Sequence, residues 1–226
     1  MKTIRTAIVI AACLAAAGTA NAQLGGLGGM LGGGKASTGK ASGDITADVN
    51  SFLDKSALTS ALSTRALLSI NAAFASDEKL ADKRAKLASL SGITNPQELL
   101  AKSNELYKSE SAEAETRYSS GTMEQEMKGL SAEKKKMIGQ ALLNFGIGGL
   151  QAVDLTKSGQ AIVQGAAANP MNISKVAPVK DALPTLGKVA SDAGGFLTGV
   201  VKLAKGANIA VVTPKADSKP VDVAVF

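Results

Sequence analysis

From Met137 to Val153 the chain reads MIGQALLNFGIGGLQAV, with no charged side chain and with glycine at 139, 146, 148 and 149. Glycine disfavours an isolated helix by about 1 kcal/mol per residue relative to alanine. Yet the run also carries the bulky apolar residues Ile138, Leu142, Phe145 and Leu150, and the stretch reads as helical to Gly165. A helix with that many glycines needs a tertiary reason, namely a neighbour that comes close to a surface without side chains. Ile138, Leu142, Phe145, Gly146, Gly149 and Leu150 are therefore the candidate packing or membrane-contact residues. One neighbour that fits them is another helix of the same domain. The other is a membrane, entered by a hairpin that turns back near Asp154. The uncharged run is about 17 residues long, at the lower limit of a span, and Gln140, Asn144 and Gln151 interrupt it. A stable transmembrane helix is not expected. Gly159 lies on the more polar later stretch, where alanine should be neutral or stabilising.

The N-terminus sets the expected compartment. Lys2 and Arg5 precede an apolar run from Ala7 to Ala17, and Ala20-Asn21-Ala22 follows as a small-x-small site. This order is that of a secretory signal peptide cut after Ala22. Ile10-Ala11-Ala12-Cys13 offers a second route, a lipobox that would leave Cys13 as a lipidated N-terminus. Against it, the apolar run continues past Cys13 to Ala17. Cleavage after Ala22 takes 22 of 226 residues and leaves 204, enough for one ordinary domain. It also removes Lys2 and Arg5, so 25 basic residues become 23 against 19 acidic, a net charge of +4.

Composition excludes several chemistries. There is no histidine, and the only cysteine is Cys13 in the signal. A mature chain of this kind makes no disulfide, no thiolate metal site and no histidine-based triad. Tryptophan is absent, with only two Tyr and five Phe, so an aromatic carbohydrate platform is not expected, and no basic cluster interleaves with aromatics, so neither is a nucleic-acid footprint. Glu105, Glu110, Glu113 and Glu115 fall on one predicted helix and are expected to form a solvated charged face. Gly146 to Leu150 is glycine-rich but sits inside a helical pattern, without the spacing of a phosphate-binding loop. No cofactor or metal is implied.

Residues 23–43, QLGGLGGMLGGGKASTGKASG, form a glycine-rich flexible linker. Its Leu24, Leu27, Met30 and Leu31 would let it dock on a partner or a bilayer surface. A first amphipathic helix is expected from Asp44, as N-cap, to about Phe74, with Ser, Thr, Asn and Lys on its outer face. Ser76 opens a second, charged helix, and Gly92 ends it. The strongest local signal is Asn95-Pro96-Gln97-Glu98, a helix start running to about Ser119. Gly121 interrupts. Met123, Met127 and Leu130 mark a short helix, and Ser131 caps the glycine-bearing one. After Asn169-Pro170 one or two helices are expected, the better from Thr185 to Lys205. Residues 207–226 read as a short irregular or β-like tail, either a small strand pair or a loose end.

The expected fold is mainly α: an elongated bundle of about four to six helices over residues 44–206, with the 137–165 helix central. The functional expectation is a non-enzymatic exported binding or structural protein of a bacterial envelope. Its expected partner is another envelope protein or a second copy of the chain. The alternative is a membrane-active or lipid-binding helical protein that uses residues 137–165.

Overall fold

The computed structural model describes residues 45–225. The proposed signal peptide, the glycine-rich linker, the Asp44 cap and Phe226 lie outside them. The described residues form a mainly α bundle. Its elements are α1 (Thr46–Ala73), α2 (Asp77–Ser91), α3 (Pro96–Ser119), α4 (Met123–Lys128), α5 (Ala132–Ala167) and α6 (Pro170–Ile173). A 3-10 turn (Ser174–Val176), α7 (Ala177–Gly194) and α8 (Phe196–Gly206) follow. No strand occurs among the described residues.

Local chemistry accounts for most boundaries. Asn95 accepts hydrogen bonds from the amides of Gln97 (2.9 Å) and Glu98 (3.1 Å), and Pro96 opens α3. Gly121 takes φ +75°, a left-handed conformation that glycine adopts at no steric cost, and turns the chain into α4. The Ser131 hydroxyl accepts from the Lys134 amide at the head of α5. Past the end of α5, the Asn169 side chain accepts from the Met171 amide and Pro170 opens α6.

At 36 residues, α5 is about 54 Å long at 1.5 Å per residue. It runs antiparallel to α1. Phe52 lies against Gly159, the Thr59 hydroxyl donates to Gln151, and Ser63 lies against Gly148, so the α5 number falls as the α1 number rises. Helix α3 covers another side of α1, α7 packs along α5, and α2 rides on α1 and α3.

Helix α1 departs from the amphipathic expectation, because its polar residues are inside. Ser56, Thr59, Ser60, Ser63, Thr64, Ser69 and Asn71 are all at most 2 % exposed. Six of them carry hydroxyls, and three of these bond back into their own helix. Ser56 donates to the Phe52 carbonyl (2.7 Å), Thr64 to that of Ser60 (2.7 Å) and Ser69 to that of Arg65 (2.9 Å). A short hydroxyl satisfied within its own helix can be buried and still let two neighbouring helices approach. Among the described residues the helix begins at Thr46, with Ile45 in the N-cap position.

The helix expected over Thr185–Lys205 is in fact two, α7 and α8, which meet at Gly195. Pro184 lies inside α7, where it removes one helix hydrogen bond. Both Pro184 and Lys180, whose carbonyl is freed, are on the solvent side. The tail is irregular and is neither a strand pair nor loose. Ala207 and Ile209 are buried, and the Ile209 amide donates to the Ala204 carbonyl. Further on, Asn144 of α5 bonds Val221 twice: its Nδ2 donates to the Val221 carbonyl (2.8 Å) and its Oδ1 accepts the Val221 amide (2.9 Å).

Candidate functional site

Four glycines in the first half of α5 each meet a different part of the chain. The Ala210 carbonyl lies over Gly139, the Pro214 ring and Leu197 over Gly146, the Ser63 side chain over Gly148, and Ala193 over Gly149. A Cβ at Gly146 would stand 2.5 Å from Pro214 Cγ, and one at Gly149 would lie under 3.0 Å from Ala193 Cβ. The glycine surface is thus a set of sockets for α1, α7 and the C-terminal tail. Of the six candidate residues, Ile138, Leu142, Phe145, Gly146 and Gly149 are buried. Leu150 is not with them. It is 44 % exposed, because it sits one position beyond the glycine pair that α7 and α1 close on.

Gly159 differs from the sequence expectation. A Cβ there would lie 2.7 Å from Phe52 Cε2 and 2.8 Å from Leu183 Cδ2. The polar residues around it point outward, but Gly159 itself faces α1 and α7 and is buried. No signal in the local sequence marks it, since Phe52 and Leu183 are far away along the chain.

Phe145 lies at the centre of an aromatic chain. It stacks on Tyr107 of α3 (centroids 6.4 Å apart, planes 13°) and meets Phe196 of α8 edge-on (6.4 Å, 87°). Phe196 in turn meets Tyr118 edge-on at 5.7 Å. The Tyr107 hydroxyl donates to Asp192 Oδ2 (2.7 Å). Burial, then the Asp192 carboxylate, pushes the Tyr107 phenol well above its ordinary range. It stays protonated as a donor and ties α3 to α7. Lys188 bridges Asp192 and Glu115 beside it, both about 3 Å away.

A second polar centre was invisible in the sequence. Glu110, expected on a solvated face, is 1 % exposed. Its Oε2 accepts from Lys83 Nζ (2.6 Å) and Asn71 Nδ2 (2.8 Å), and its Oε1 from Lys86 Nζ (3.3 Å). Lys83, itself 3 % exposed, also donates to Glu113. The correction has a plain cause. Residue 110 falls on the side of α3 that faces both α1 and α2, and Lys83 of α2 arrives there with a charge that makes burial tolerable. Glu105, Glu113 and Glu115 remain at least partly exposed.

Among the described residues no group of three or more His, Cys, Asp or Glu is placed to hold a metal ion. No described helix is long and apolar enough to cross a membrane. A cleft lies between α5 and the tail, lined by Glu133, Lys136, Met137, Gln140, Asp222 and Ala224. Comparison with known protein families, with curated proteins and with solved structures gives no match.

Proposed function

We propose that the chain is a non-enzymatic exported helical protein of the bacterial envelope, with a binding or structural role. The observation that supports a structural use of its polar residues is the saturation of Glu110. Both its carboxylate oxygens are taken by donors of the same chain, from α1 and α2. Tyr107, Asp192 and Lys188 are joined in the same way between α3 and α7. These groups act as struts between helices.

The exported part of the reading rests on the N-terminal order of basic residues, apolar run and Ala20-Asn21-Ala22. The expected partner is another envelope protein or a second copy of the chain. The test is the intact mass of the protein recovered from fractionated cells. A mass beginning at Gln23, in the periplasmic fraction or the medium, is the expected result. A diacylglyceryl-modified Cys13, or an uncleaved chain in the cytoplasm, would overturn it.

A further inference from the structure

Helix α2 is held to the bundle largely by charge. Leu80, Lys83, Leu87 and Leu90 recur at helical spacing on its inner face. Of the 15 residues in the helix only Lys83 and Leu90 are buried. Lys83 donates to Glu110 (2.6 Å) and Glu113 (2.5 Å) of α3, and Lys86 donates to Glu110 (3.3 Å). Arg65 of α1 donates to the Leu90 carbonyl (3.2 Å). Asn71 of α1 bonds Glu110 through its Nδ2, and its buried Oδ1 has no hydrogen-bond partner.

Two opposing costs decide how such a helix behaves. Burying an ion pair takes both charges out of water, and their mutual attraction only roughly repays that desolvation. Were α2 to lift, Lys83, Glu110 and the Asn71 Oδ1 would all be rehydrated, so much of the loss of the pair would be returned. Lifting α7 from α5 has no such return. It would expose Leu186, Val189 and the Gly149–Ala193 contact, apolar surface that water does not compensate. The joints of α2 also leave it free to move as a unit. Ser76 at its head makes no side-chain cap bond, and Gly92 at its foot stands in open space.

We propose that α2 is a latch, a helix that lifts from α1 and α3 about Ser76 and Gly92 while the rest of the bundle stays folded. Opening uncovers the Glu110 and Glu113 carboxylates, which the closed form holds neutralised by Lys83 and Lys86. The molecule thus has two forms, one closed and one that presents an acidic face on α3. Latching is a property of the purified bundle and is independent of where the cell delivers the chain.

The test uses the purified chain from Gln23 onward, which has no cysteine of its own. Leu90→Cys places a thiol on the inner face of α2 and Leu142→Cys one in α5, both at positions 1 % exposed. Labelling of each thiol in native buffer and in sub-denaturing urea measures its opening. Leu90→Cys should label about a hundredfold faster or more, with almost no dependence on urea, because a local opening exposes little surface. Leu142→Cys should label with the steep urea dependence of global unfolding. Adding Lys83→Met should speed labelling at residue 90 by about tenfold or more, because the pair seven residues away no longer holds the helix down. Lys86→Met, at the weaker 3.3 Å contact, should speed it by less. Circular dichroism checks that each variant is folded. The same rate and urea slope at both thiols would overturn the latch, since α2 would then open only with the whole bundle. So would an unchanged rate at residue 90 in both lysine variants, which would mean that only the last turn of α2 frays.

Discussion

Gly149→Ala tests the sockets of α5 with the smallest possible perturbation. The added Cβ would lie under 3.0 Å from Ala193 Cβ and 3.6 Å from Ala193 Cα. Ordinary carbon contacts are about 3.5–4.0 Å, so α5 and α7 must part by roughly 1 Å at this point. Val189, Leu186 and Val179 hold α7 down with no measurable exposure, so the separation disturbs a close-packed seam. Overpacking of this kind costs typically 1–3 kcal/mol. Alanine returns up to about 1 kcal/mol of helix propensity. The net expectation is a loss of about 1–2 kcal/mol, and Gly149→Leu should lose more. Gly165→Ala is the matched control, since it lies in the same helix with no atom within 4 Å of the new Cβ. It should gain up to about 1 kcal/mol. Urea unfolding followed by circular dichroism reads both, with a Tm shift of about 2–4 °C per kcal/mol at this chain length. Equal stabilisation by Gly149→Ala and Gly165→Ala would refute the socket reasoning.

Other positions give independent checks. Asn95→Ala removes the acceptor for two amides at the head of α3 and should cost about 1 kcal/mol in the same assay; an unchanged midpoint would show that the cap carries no stability. Lys83→Met leaves the buried Glu110 with only Lys86 and Asn71, and should cost about 2–3 kcal/mol, below the 3–5 typical of a fully orphaned partner. Gly159→Ala, pressed on Phe52 and Leu183, should destabilise, by less than Gly149→Leu because the Leu183 end can move. Glu126 is held below the ordinary carboxylate range, first by the Thr122 hydroxyl and then by Arg117. A depressed folded-state pKa gives stability that is present above the unfolded value, near 4.3, and is lost as pH falls through the folded value. The advantage of wild type over Glu126→Gln should thus be full at neutral pH and shrink below about pH 4, as read by melts at a series of pH values.

Much of the local structure was legible because it is written in contiguous residues. Asn95-Pro96, Ser76, Gly121 and Ser131 mark turns and caps whose geometry depends on a few neighbours. The central place of α5 was legible too, since uncharged residues and glycines together demand a close neighbour. What occupies each glycine was not. Ala210, Pro214, Ser63 and Ala193 come from separate parts of the chain, and periodicity carries no pairing information. For the same reason Glu110 read as one more surface acid, although Lys83 stands 27 residues away ready to neutralise it. The hydroxyls of α1 misled in the opposite sense. Serine and threonine score as polar, but a hydroxyl bonded to its own helix behaves in packing as a small side chain. Leu150 was drawn into the candidate set by composition and lies outside, on the far side of the glycine pair.

Hydrogen exchange, read by mass spectrometry on the purified chain, most directly tests whether the glycine helix is enclosed in solution. Amides of residues 141–149, beneath α1, α7 and the tail, should exchange only on global unfolding, far more slowly than those of the largely exposed α2. The Val221 amide, bonded to Asn144, should be protected above its tail neighbours. If residues 141–149 exchanged as fast as α2, the helix would not be the core element on which the rest of the chain is seated.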